Sequence, residues 1–276
     1  MRKLIRANCF RLFKDKVFII FNILMLLIGL FIPLIHYIDN VKNDAMWTID
    51  STCFLYAFIV PVLLSIMISL FIGCEYSDGT IRNKIIYGHK RYSIYLSNFI
   101  VCSLGGFVLS ISYLISHTAF GMILLGSFKT SLTTLIFYVI VSFVVILAYV
   151  SLFTIISMLL FNKSYSIASS LLLAFALLFI GVRITSALNE PEYYSGYSYS
   201  KDGETIEDDE LKNPYYLSGT KREIYEFLLD FIPGGQTLQI ANMSADNLIL
   251  IVLYDGIIIF SFIGSGILLF QKKDLK

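Results

Sequence analysis

The sequence predicts an all-α integral membrane protein with six transmembrane helices, and three observations lead there. Hydrophobic residues fill 57% of the 276 positions and charged ones only 15%, and the mean hydropathy is +0.76, outside the range of soluble domains. Six nearly uncharged runs are long enough to cross about 30 Å of hydrocarbon, which takes roughly 20 residues as helix. The charges also sort by position: basic clusters lie at the two termini and in a short insert after the second run, while one long loop is acidic. The lipid bilayer is therefore an expected partner. Nucleic acid is not.

Residues 1–16 carry Leu4, Ile5, Cys9, Leu12 and Phe13 as a helical stripe, flanked by Arg2, Lys3, Arg6, Arg11, Lys14 and Lys16. That pattern suits an N-terminal interfacial helix lying in the inner membrane face. A cleaved signal peptide is not expected, because the following apolar run is too long and Ile35–Ile38 offers no small-residue cleavage site. The spans fall at about 17–38, 52–74, 92–126, 131–160, 165–187 and 247–270. The third and fourth runs exceed one simple crossing, so tilt or extension past the bilayer is expected; splitting each in two would need a turn that their middles lack. Six spans put both termini on one side. The positive-inside rule makes that side cytoplasmic in a multi-pass protein.

Between the second and third spans the cytoplasmic insert at 75–91 reads EYSDGTIRNKIIYGHKR. Asp78, Gly79 and Thr80 are helix-start residues and Gly88 a stop. Ile81, Ile85 and Ile86 share one side of a two-turn helix, with Arg82, Asn83 and Lys84 around the other. A short amphipathic helix held between two spans is suited to docking at the membrane face. Glu75, Gly79, Thr80, the Ile81-Arg82-Asn83-Lys84 run, Gly88 and Arg91 resemble the first cytoplasmic loop of type-2 ABC transporter permeases, and the span count and the LFQKKDLK tail are similar as well. The resemblance implies a coupling helix that seats in a groove of a separate ABC ATPase subunit. It also implies a second permease copy or a homologous one, with ATP and Mg held by the ATPase, and a place in the bacterial cytoplasmic membrane. The coupling residues are then Glu75, Gly79, Thr80, Ile81, Arg82, Lys84, Ile85 and Arg91: the isoleucines give apolar docking, Arg82, Lys84 and Arg91 charge contacts, and Glu75 pairs with a nearby Arg to fix the loop.

The extracellular loop at 189–246 holds twelve acidic residues against four basic ones. Its first part, about 190–218, lacks apolar periodicity and reads as a mobile loop or a small hairpin. In the second part Thr220 and Glu223 have capping-box spacing. Ile224, Phe227, Leu228 and Phe231 follow at helical spacing, and Pro233-Gly234-Gly235 ends the segment. A short amphipathic cap helix on the outer surface or over the mouth of the spans is expected. The acidic charge either steers a cationic substrate or forms a solvated cap.

Catalytic chemistry finds little support. GMILLGSFKT at 121–130 misplaces its Lys for a phosphate loop, and no HExxH, GxSxG or Cys/His metal cluster occurs. His36, His89 and His117 are scattered, and the four cysteines show neither metal spacing nor a disulfide framework. No cofactor is expected on this chain. Asp255 and Arg183 sit at similar depths near the outer ends of the last and fifth spans, which makes them a candidate intramembrane charge pair. Gly105, Gly106, Ser110, Gly264, Ser265 and Gly266 permit close helix approach. The expected function is that of the non-catalytic membrane subunit of an ATP-driven ABC exporter, moving an amphipathic or antimicrobial peptide outward. Alternatives are drug or cation efflux, or a membrane sensor or scaffold with an extracellular ligand loop.

Overall fold

A computed structural model of the chain describes residues 1–194, 198–201, 204–207 and 211–274. Its helices are α1 (Arg2–Lys14), α2 (Lys16–Asn43), α3 (Tyr56–Ser77), α4 (Thr80–Ile86), α5 (Arg91–Leu124), α6 (Leu132–Leu159), α7 (Lys163–Leu188), α8 (Thr220–Phe231), α9 (Pro233–Ala241) and α10 (Leu248–Lys272). A 3-10 turn at Ile49–Thr52 leads into α3. Among the described residues, six helical segments are long and apolar enough to cross a membrane: α2, the turn with α3, α5, α6, α7 and α10. The long third and fourth runs are single helices. At 34 residues, α5 extends about 51 Å, well past a bilayer core.

Polar caps set the ends of these apolar helices. Asp15 interrupts helix between α1 and α2 with an extended backbone, and its carboxylate accepts from the Val17 and Phe18 N–H groups at 2.7 and 3.3 Å. Ser131, Asn162 and Asn247 cap α6, α7 and α10 in the same way. The core gathers around α3, which is the most enclosed span, while α2 and α10 leave most of their surface outward. Small residues allow close contact at particular points: Gly106 meets Leu64 and Ile146, Gly105 meets Leu12 and Met67, and Gly266 lies under the Tyr95 ring. A Cβ on Gly264 would meet no neighbour within 4 Å. Hydroxyls tie the helices together, with Tyr56 on Ser142 at 2.6 Å and Tyr113 donating to the Thr52 carbonyl at 2.7 Å.

The first part of the long loop contains a hairpin. β1 (Tyr193–Tyr194) pairs with β4 (Leu211–Lys212), and β2 (Ser198–Lys201) with β3 (Glu204–Glu207), all antiparallel. Asn213 secures its base by donating to the Glu190 carboxylate and the Pro191 carbonyl, both at 2.9 Å. The acidic residues Asp208, Asp209 and Glu210 of this loop lie outside the described residues.

Two expectations for the second part need correction. The Thr220–Glu223 capping box does not form, because the helix begins one residue earlier than the box requires: Gly219 is the N-cap, and no side chain caps it. Pro233-Gly234-Gly235 ends α8 but also begins α9, a helix that no apolar periodicity announced. Proline serves as its first residue, where a missing N–H costs nothing, and α9 is buried along nearly its whole length. A Cβ on Gly234 would stand 1.8 Å from the Leu177 carbonyl oxygen, and one on Gly181 would stand 2.5 Å from Gly234. Leu177 lies eleven residues before the end of α7, so α9 reaches about 16 Å down the bundle. The loop is thus not only a lid: part of it is an inserted plug between α3, α6 and α7.

Candidate functional site

The polar insert forms one end of the bundle, shared with α1 and the C-terminal end of α10. Gly79 reverses the chain between α3 and α4 in the left-handed region at φ +66°, and Gly88 stops α4 at φ +84°. The Thr80 hydroxyl closes the first turn by donating to the Glu75 carbonyl at 3.1 Å.

Glu75 organises this end. Its side chain has no exposed surface, and its carboxylate pairs with Arg11 at 2.7 Å and with Lys84. Asn98 donates to its second oxygen at 3.0 Å. Lys84 also donates to the Asn8 side-chain carbonyl at 3.1 Å, and Asn8 donates to Ser97 at 2.9 Å and to Asn98 at 2.7 Å. Arg11 rests on the Phe71 ring. One carboxylate therefore joins α1, α3, α4 and α5. Burial pulls the Lys84 ammonium below its usual range, and the facing Glu75 carboxylate works against that pull. The expected Glu75–Arg pairing is present, with Arg11 as the partner.

The network redistributes the expected roles within α4. Ile81 is 1% exposed and packs inward, Ile85 is half-buried, and Lys84 is committed to Glu75. None of the three presents a free docking group. The outward face is Arg82, Asn83, Ile86 and Tyr87, with Ile86 71% and Tyr87 84% exposed. Arg91 also turns inward: its guanidinium donates to the carbonyls of Phe270, Gln271 and Lys273, capping the last turn of α10. Lys273 completes this clamp. Its ammonium lies over the Phe161 and Tyr76 rings and donates to the Met158 carbonyl at 2.9 Å, and burial draws its pKa down to about 8.

The N-terminal helix α1 forms and is anchored on the bundle. Leu4 and Leu12 are buried, Ile5 and Cys9 are half-buried, and the helix packs against α5, leaving Phe13 exposed. Asn8, in the middle of its buried face, was invisible to hydrophobic patterning, as were Ser97 and Asn98 within the apolar run of α5. The signal available was weak: polar amides at positions that helical spacing assigns to the interior.

At the opposite end the expected Arg183–Asp255 pair is absent. Arg183 is exposed, Asp255 is wholly buried, and the ion pairs among the described residues are Arg11–Glu75, Lys84–Glu75 and Arg222–Glu226. Equal depth does not bring the two residues together, because α7 packs on α3 and α9 while α10 packs mainly on α6. In the cap helix, Phe227 and Phe231 stack at 5.5 Å and both meet Tyr254 edge-on. Ile224 stays half exposed and Leu228 half-buried. A cavity of about 530 Å³ lies between α7, α8 and α9, lined by Glu226, Asp230 and Asp246 together with Arg222.

No protein-family model matches the chain, and no characterised protein sequence matches it either. The helices themselves define a multi-pass membrane protein of transporter-like build.

Proposed function

We propose that this chain is the membrane-spanning subunit of an ATP-driven ABC exporter, with α4 as the helix through which a separate ATPase subunit drives it. The observation that carries this reading is the paired character of α4. One face is pinned by Ile81, Lys84 and Glu75 to three other helices, while the other offers Arg82, Ile86 and Tyr87 to a partner. A helix that is both exposed and rigidly joined to the spans suits force transfer by rigid-body movement. On this reading α4 and both chain ends face the cytoplasm of a bacterial cell, in keeping with their basic residues. The ATPase holds ATP and Mg, this chain catalyses nothing, and two permease copies form the pathway.

Co-expression with a separately encoded ABC ATPase tests the assignment. Complex formation and ATP hydrolysis are expected with the native chain. Ile86→Asp and Tyr87→Asp should each lower co-purification at least about tenfold, a loss of about 1.4 kcal/mol, without changing the melting temperature of the isolated subunit. Both variants retaining full association would overturn the docking face.

For cargo, the favoured class is an amphipathic or cationic peptide moved outward. The cavity lined by Glu226, Asp230 and Asp246 supports this, since its one Arg is paired with Glu226 at 2.9 Å. Stimulation of ATP hydrolysis, compared across cationic peptides, uncharged drugs and metal cations, separates the peptide reading from its efflux alternatives.

A further inference from the structure

At the hairpin end, α9 and α10 bring together polar groups whose hydrogen bonding does not balance. Asp255 lies seven residues into α10, about 10 Å along the helix, and has no exposed surface. Neither of its carboxyl oxygens has a hydrogen-bond partner, and the same holds for Oε1 of Gln236, which is equally buried. The Gln236 side-chain amide faces Asp255 from α9, and one of its two N–H groups donates to the Asp230 carbonyl at 2.8 Å. Three orphan acceptor oxygens therefore share one closed site.

The surroundings offer no positive charge. From α6 the titratable group facing Asp255 is Tyr149, whose hydroxyl is 3.3 Å from that of Thr237; Thr237 in turn donates to the Pro233 carbonyl at 2.8 Å. From α8, Asp230 has its carboxylate occupied by Gln239 at 2.9 Å, and Arg222 is paired with Glu226. α5 meets α10 farther along, where Tyr95 covers Gly266 and approaches Phe270. An ionised carboxylate left alone among these groups is costly. A hard metal cation would want about six oxygen ligands, twice what is offered. One proton supplies the missing donor and removes the charge.

We propose that Asp255 is a proton-binding site, occupied as the neutral acid donating to Gln236 while α9 is seated in the bundle. Withdrawal of α9 takes away Gln236 and Thr237 and admits water. The carboxyl then ionises and its proton leaves on the hairpin side. The seating of α9 is thus linked to protonation. This inference stands on α9 and α10 alone and does not rest on the export assignment.

Dicyclohexylcarbodiimide tests it on the full-length chain in lipid nanodiscs. The acid O–H adds across one N=C bond of the reagent to give an O-acylisourea, which rearranges to a stable N-acylurea with no leaving group. Peptide mass spectrometry should find the adduct on Asp255 near neutral pH, with labelling falling about tenfold per pH unit once the acid titrates. Labelling uses the native chain, so the result holds even if a variant fails to fold. Amide exchange across residues 233–241, corrected for intrinsic rates, should rise with pH in the native chain and stay flat in Asp255→Asn. Absence of the adduct, its suppression by sodium or potassium ions, or identical exchange profiles in the two proteins would each overturn the proposal.

Discussion

Glu75 is bonded from three helices besides its own, through Arg11, Lys84 and Asn98. Removing one member of such a buried charged set leaves the others uncompensated. Glu75→Ala should therefore cost about 3–5 kcal/mol, read as a fall in melting temperature in detergent. Lys84→Met should cost less, because Arg11 remains for the carboxylate. Lys273 gives a pH prediction. Its folded-state pKa, about 8, lies below the ordinary value of 10.5 because the amine is partly buried. Between those limits the unfolded chain binds more protons, so stability from this group rises with pH. The melting temperature of the native chain relative to Lys273→Met should accordingly increase from about pH 8 to 10.5. The sequence made Glu75 legible as a charge at a span boundary, but its partners lie 64 residues back at Arg11 and 23 residues on at Asn98. Nothing local marks them. The inward turn of Lys84 and Arg91 was hidden as well: Glu75 and Asn8 for Lys84, and the last carbonyls of α10 for Arg91, not the polarity of α4, decide which side faces water.

The helical elements were legible to different degrees. Spans are read easily, since length and apolarity alone satisfy a bilayer, and α4 was announced by its flanking glycines. Its outward face was not, because a seven-residue helix offers too few positions for periodicity to choose between Ile81 and Ile86. α9 escaped altogether: PGGQTLQIA reads as a turn followed by polar residues, and only tertiary burial makes it a helix. Its seating depends on the absence of side chains at two glycines. Gly234→Ala places a methyl against the Leu177 backbone, where no flexible atom can yield. It should expel α9 and raise the thiol reactivity of a cysteine introduced at Thr237 in a cysteine-free background. At the other end, Gly79→Ala forces an L-residue to φ +66°, with an expected cost of about 1–2 kcal/mol, measurable by thermal denaturation.

At the scale of the whole chain, six crossings place the α4 end and the hairpin end on opposite faces of a membrane. Tyr87 and Tyr215 are strongly exposed at those two ends. In the same cysteine-free background, a membrane-impermeant maleimide applied to intact cells should label Tyr215→Cys and spare Tyr87→Cys. Inverted vesicles should give the reverse, and labelling of both from one side would refute the six-span topology. The clamp of Arg91 on the last turn of α10 carries a mechanical consequence. It grips Phe270 fifteen residues from Asp255 on the same unbroken helix, a distance of about 22 Å. Because an α-helix resists compression along its axis, α10 is a pushrod: a displacement of its clamped last turn by the start of α5 would be carried along its length toward the buried acid.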